Sequence, residues 1–201
     1  MKLVVVSAGL SVPSSTRLLA DRLAAAVGRT PAGAGVEVEV VELRDLAVEI
    51  AHNFTNGFPG RKLAAALDAV TRADGVIAVT PVFTASYSGL FKSFFDVLDK
   101  EALVGKPVLI AATGGTARHS LVLEHALRPL FAYLRAVVVP TGVYAASEDW
   151  GAQGLEDRVE RAAGELAALM SGLSGTKPRK SDGDDLQVIP FAEQLARLSA
   201  P

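Results

Sequence analysis

Residues 75–92 read GVIAVTPVFTASYSGLFK, a continuous apolar run that gives way to small residues and then to an amphipathic helix. Val76, Ile77, Ala78 and Val79 show no polar alternation, which is the pattern of a strand buried on both faces in a parallel sheet. Pro81 has no N–H for a ladder and is expected to stop the strand's pairing. Ser88 stands where a helix N-cap belongs. Leu90, Phe91, Phe94, Phe95 and Leu98 follow at i, i+1, i+4, i+5 and i+8, so one wide helical face is buried. Between strand end and cap, residues 82–87 read as a loop open to a ligand.

The same strand, loop and helix unit recurs upstream and downstream. Residues 2–6 form an apolar run ending at Ser7, and Leu18, Leu19, Leu23, Ala26 and Val27 then share a helical face that ends near Gly28. Past Gly33 and Gly35, Val36, Val38 and Val40 alternate with Glu37 and Glu39, as in a strand nearer a sheet edge. Residues 51–60, AHNFTNGFPG, read as a loop whose Phe54 and Phe58 form either a local hydrophobic plug or a lid. Residues 61–73 are a helix with Leu63, Leu67 and Val70 inward. After the central unit, Lys106-Pro107 opens a strand over 108–112, which runs into Thr113-Gly114-Gly115-Thr116. A helix over 120–134 contains Pro129 and is expected to kink or restart there. A fifth strand over 137–139 and a helix over 155–170 close the pattern.

Five strands alternating with helices predict an α/β fold, a doubly wound five-stranded parallel sheet with right-handed crossovers. The order expected is 2-1-3-4-5, which makes the first and third strands neighbours at the switch point. The loops 7–16 and 81–88 then share one crevice, with loop 113–119 beside it. Residues 172–185 are polar and carry Pro, Gly and blocks of charge, so the chain divides into a domain over 1–171 and a linker with a tail over 172–201. Ile189, Phe191, Leu195 and Leu198 in the tail have no place in a five-strand core and are expected to dock on a second subunit.

The 201 residues are 50% hydrophobic and 21% charged, with 20 basic against 22 acidic side chains and a formal net charge of -2. A balance this near neutral gives no electrostatic basis for binding nucleic acid or an anionic membrane. There is no cysteine, so disulfides, thiolate metal sites and cysteine nucleophiles are excluded. Without a basic-then-apolar leader or an apolar run of about eighteen residues, the expected location is cytoplasmic. His52, His119 and His125 lack the i, i+4 spacing of a helical metal pair, so no metal site is expected. No serine stands in a GxSxG elbow, so a hydrolytic triad is not expected either.

What remains is a binding site built from loops. Loop 7–16, SAGLSVPSST, brings hydroxyls and backbone N–H groups to a helix N-terminus, where the macrodipole favours an anion such as a phosphate. One cap suffices for a helix and several hydroxyls are present, so Ser7, Ser14, Ser15 and Thr16 are candidate phosphate ligands. Ser7 weighs most, because a hydroxyl ending a central strand faces the crevice. Thr113, Gly114 and Gly115 allow backbone amides to approach a flat ligand, although two glycines serve a plain turn equally well. Arg118 and His119 stand next to that loop, either against a nucleotide or flavin edge or as solvated loop residues.

Three motifs together, SxxxxxxSSTRLLA after the first strand, TPVFTASYSGLFKSFFD after the third and ATGGTARHS after the fourth, resemble the NAD(P)H-dependent FMN reductases of the flavodoxin-like superfamily. The resemblance covers about residues 1–171, and its middle motif is the specific one. It implies that Ser7, Ser14, Ser15 and Thr16 hold the FMN phosphate and that Pro81, Val82, Phe83 and Thr84 lie against the isoalloxazine. It implies as well that Thr113, Gly114 and Gly115 meet the pyrimidine side of the ring. The chain departs from the pattern in one respect: many members clamp the phosphate with an Arg in the first loop, where Leu10 and Ser11 stand here. FMN would be the cofactor and NADPH or NADH the hydride donor, with no catalytic acid or base required because the flavin carries the hydride. The resemblance further implies a homodimer or homotetramer, and delivery of reduced flavin to a partner flavin-dependent monooxygenase or of electrons to quinone-like acceptors. The alternative is a flavodoxin-type electron carrier without nicotinamide turnover. Such carriers are strongly acidic, which this chain is not.

Overall fold

Each apolar run without polar alternation is a strand covered on both faces. The computed structural model describes residues 1–151 and 153–173, and within them lie β1 (Lys2–Ser7), β2 (Glu37–Glu42), β3 (Gly75–Phe83), β4 (Ser86–Tyr87), β5 (Pro107–Gly114), β6 (Val137–Val138) and β7 (Val143–Ala146). The helices are α1 (Ser15–Arg29), α2 (Ala47–Asn56), α3 (Arg61–Arg72), α4 (Gly89–Val97), α5 (Arg128–Tyr133) and α6 (Gln153–Leu173). Parallel pairing runs β2-β1-β3-β5-β6. Odd and even strand residues go to opposite cores. Leu3, Val5, Ile77, Val79 and Leu109 pack under α1 and α6 with Leu19, Leu23, Val159 and Leu166. Val4, Val6, Val76, Ala78 and Ile110 pack with Ile50, Leu63, Val70, Phe91, Phe94 and Phe131 on the other side. Both layers exclude water from the middle of the sheet, which is why β1, β3 and β5 read as unbroken apolar runs whereas β2 at the edge alternates. No described helix is long and apolar enough to cross a membrane.

The five-stranded sheet in order 2-1-3-4-5 needs correction at two places. The predicted fifth strand is divided, with Val137 and Val138 opposite Pro107 and Val108, and Val143–Ala146 opposite Ala111–Gly114. Pro140 cannot donate to a ladder and falls in the gap. Side chains take over there: Arg128 donates to the carbonyls of Val139 and Pro140 at 3.1 and 3.0 Å, and the Thr141 N–H reaches Glu165 at 2.7 Å. The second correction is that Pro81 does not stop the pairing. Pro81 still stands opposite Thr113 of β5, and Val82 and Phe83 then pair antiparallel with Tyr87 and Ser86 of β4. The ladder to β1 has already ended at Ser7 and Val79, so a missing N–H at Pro81 costs little. Residues 82–87 are thus a hairpin rather than an open loop.

Of the expected loop over 51–60 only residues 57–60 are a loop, since α2 continues to Asn56. Gly57 ends it in the left-handed region at φ 76, with its N–H on the Asn53 carbonyl at 2.9 Å, and this cap outweighs the low helix propensity of Asn53, Thr55 and Asn56. Phe54 and Phe58 are exposed, so they do not plug a core. Pro129 acts as a restart: a wide π turn over Leu123–Leu127 precedes α5, whose first turn holds the proline. In α4, Ser88 Oγ accepts the Phe91 N–H at 3.1 Å, and Phe91, Phe94 and Phe95 are buried within the subunit. The proposed linker and tail lie outside the described residues, apart from the end of α6.

Candidate functional site

β1 and β3 are neighbours whose crossovers leave in opposite directions, so a crevice opens beyond their C-terminal ends. Three segments border it. The first joins β1 to α1. Ser7 is fully buried and its Oγ has no hydrogen-bond partner. Ser14 caps α1, accepting the Arg17 N–H at 3.2 Å, while Ser15 is exposed. Thr16 is buried, and its Oγ1 lies 2.8 Å from Oγ1 of Thr113. A methyl on Gly9 would run into Ser14 Oγ and come within 3.2 Å of Thr16 Cβ, so any side chain there would have to displace the Ser14 cap.

The second segment is the β3–β4 hairpin. Pro81 and Val82 are half-buried, and Phe83 and Thr84 are exposed at its tip. Thr84 and Ala85 turn the chain at φ 49 and 65, the left-handed pair that a two-residue hairpin requires. Thr80, buried just before the proline, holds this turn from below: its Oγ1 accepts the Ser88 N–H at 3.0 Å and donates to the Pro81 carbonyl at 2.9 Å. Sequence reasoning missed Thr80, although a hydroxyl at the end of an unbroken apolar strand was a readable signal.

The third segment follows β5. Thr113 is buried, Gly114 half-buried and Gly115 exposed. The two glycines serve different ends. A methyl on Gly114 would collide with the Tyr144 hydroxyl, whereas one on Gly115 meets nothing within 4 Å. Tyr144 itself was missed, because its partner is 28 residues away: its hydroxyl donates to the Thr116 carbonyl at 2.8 Å and pins the loop to β7. Burial first, then Asp149 and Glu148, push the Tyr144 phenol above its ordinary 10.0. Arg118 and His119 sit on a single 3-10 turn and are exposed.

Loop 8–14 contains no cation, but two arginines flank it. Arg17 is paired with Asp21 and Glu42. Arg44, from the turn after β2, lies 3.6 Å from Glu42 and 3.4 Å from Asp45, and its Nη1 is 3.4 Å from the Ser11 carbonyl. Among the described residues no group of acidic, histidine or cysteine side chains forms a metal cluster.

A phosphorylated flat ligand fits what is present. Ser7 Oγ–H is a buried donor in want of an acceptor, the amides of the first turn of α1 have no intrahelical acceptor, and the open side of Gly115 leaves room for a ring. Comparison with known proteins points the same way. The sequence model of the NADPH-dependent FMN reductases matches residues 1–151. An FMN reductase (NADPH) of Pseudomonas aeruginosa is 39% identical over 178 residues, 86% of this chain and 94% of that protein. An NADH-dependent FMN reductase, SfnF, of Pseudomonas fluorescens is 39% identical over 84% of this chain and 91% of its own length. The crystal structure of an oxidoreductase from Corynebacterium diphtheriae superposes with a TM-score of 0.82 at 50% identity, covering 85% of this chain and 97% of that one. Because the matched span runs from before Ser7 to beyond Ala146 and takes in every border of the crevice, the chain belongs to the NADPH-dependent FMN reductase family.

Proposed function

We propose that this chain binds FMN in the crevice and reduces it with NADPH or NADH. The observation that carries the reading is Ser7, a fully buried hydroxyl without a partner at the end of β1, where the chain leaves for α1; an anionic acceptor there would satisfy both the hydroxyl and the helix amides. Ser7, Ser14, Ser15 and Thr16 would hold the phosphate. Pro81, Val82, Phe83 and Thr84 would lie along the ring, with Gly114 and Gly115 at its other edge, Thr113 leading into them from β5, and Arg118 and His119 at the rim. Bound FMN supplies the hydride chemistry, which the chain itself lacks. The residues have to fix the ring against the rigid β3–β4 hairpin, leave one face open to a nicotinamide, and offer backbone donors for negative charge on the ring. No side chain is assigned an acid or base role.

The two relatives at 39% identity are named for different donors, so both are tested. FMN-loaded protein is mixed anaerobically with NADPH and with NADH, and flavin bleaching at catalytic rate is expected with at least one. No bleaching with either leaves the electron-carrier reading. The reduced flavin would pass to a monooxygenase partner or the electrons to a quinone-like acceptor, and the cytoplasm is the expected setting because the donor is found there. A homodimer or homotetramer is proposed as the working assembly. Its support is the exposed apolar side chains Phe54 and Phe58, with Leu121 and Tyr133 exposed as well, and the tail as a further docking element; the apolar face of α4 is not available to it, since Phe91, Phe94 and Phe95 are buried within the subunit.

A further inference from the structure

We propose that Thr113 belongs to the phosphate end of the crevice, as a positioning residue that acts through Thr16 and sets the preference for FMN over riboflavin; this rests on the flavin reading above. The two hydroxyl oxygens are 2.8 Å apart across 97 residues of sequence, and both residues are buried, at 2% and 4% exposure. A hydroxyl has one proton to give and room to accept. Whichever oxygen donates in this bond, the other keeps its proton, and neither hydroxyl has a second partner among the described residues. One O–H of the pair therefore faces the same deficit as the buried Ser7 O–H, which also has no partner.

The segment from the end of β1 to the first turn of α1 thus holds unmatched donors: the Ser7 hydroxyl, one hydroxyl of the Thr16–Thr113 pair, and the first-turn amides that the Ser14 cap does not take. A buried donor left unmade is expensive, and an acceptor-only oxyanion relieves all of them at once. Thr113 orients this array, because its oxygen fixes the rotamer of Thr16 and so determines where the remaining proton points. The neighbouring Gly114 and Gly115 carry no side chain and border the ring. The two ends of one short loop accordingly serve different parts of the ligand.

The test titrates apoprotein with FMN and, separately, with riboflavin, following flavin fluorescence, for wild type, Thr113→Val, Thr113→Ser, Thr16→Val and the double valine variant. Thr113→Val is expected to weaken FMN about threefold to tenfold, the range into which one net hydrogen bond converts, while riboflavin is unaffected. Thr113→Ser restores FMN affinity, and Thr113→Val has no further effect once Thr16 is valine. Equal loss of both flavins, or additive losses in the double variant, overturns the inference and returns Thr113 to the ring. If Thr113→Val gives no cooperative melt, Thr113→Ala takes its place in the same comparison. A wild-type chain that binds neither flavin overturns the functional reading itself, whereas wild-type preference for FMN with equal losses in the variant defeats this inference alone.

Discussion

Thr84 and Ala85 occupy backbone conformations that suit glycine or asparagine. Left-handed geometry costs an alanine roughly 1–2 kcal/mol, and a glycine there gives back about 0.5–1 kcal/mol in unfolded-chain entropy. Ala85→Gly is therefore expected to raise stability by about 0.5–1 kcal/mol in urea unfolding, and an unchanged or lower midpoint would contradict the strain at this turn. Gly114 and Gly115 separate packing from binding. Gly115→Val should keep the wild-type melt and lose flavin affinity, while Gly114→Val should lose stability first, because the Tyr144 hydroxyl that it strikes would have to give up its bond to Thr116. Tyr144 also predicts a pH effect. Its folded pKa lies above the ordinary 10.0, so the stabilisation it gives is complete below that value and drains away as pH rises through the folded one. Urea midpoints measured below and above pH 10.0 should fall less in Tyr144→Phe than in wild type; parallel declines would show that the phenol is not the titrating group.

Among the helices, α3 depends on residues outside itself. Its N-cap, Gly60, has no side chain, and Glu49 of α2 supplies the missing acceptor, taking the Leu63 N–H at 2.8 Å. At the other end Lys106 reaches the carbonyls of Thr71 and Ala73 at 3.0 and 2.6 Å. The ammonium is held below its ordinary 10.5 by burial, against the opposing pull of Asp74. Glu49→Ala should cost about 1 kcal/mol, the value of an N-cap, read as a shift in chemical denaturation with an unchanged slope. No loss would mean that the first turn of α3 is served by water alone. α4 shows the ordinary arrangement, with Ser88 capping from the adjacent position. That cap was legible in the sequence because it is local, and the Glu49 cap was not because its partner lies 14 residues on.

For the molecule as a whole, the two cores on either side of the sheet take most of the large apolar side chains in the described residues, and a minority stand on the surface. Phe54 is 55% exposed, Phe58 81%, Tyr133 83% and Leu121 62%. Light scattering of the intact chain at micromolar concentration is expected to give a dimer or tetramer, and removal of residues 186–201 to lower both assembly and flavin affinity. A monomeric intact chain would remove the assembly proposal.

The amino-acid sequence by itself determined the alternation of buried strands and amphipathic helices, the three loops that meet at one end of the sheet, and the family, because periodicity, caps and motifs are written in residues close together in the chain. Tertiary structure alone decided the rest. It continued β3 through Pro81 into a hairpin, since the pairing there depends on β5 and not on the proline. It broke the last strand around Pro140 and let Arg128 and Glu165 satisfy the gap. It gave Gly114 to Tyr144 and joined Thr113 to Thr16, because hydroxyls distant in sequence meet only after the crossovers have brought the strand ends together.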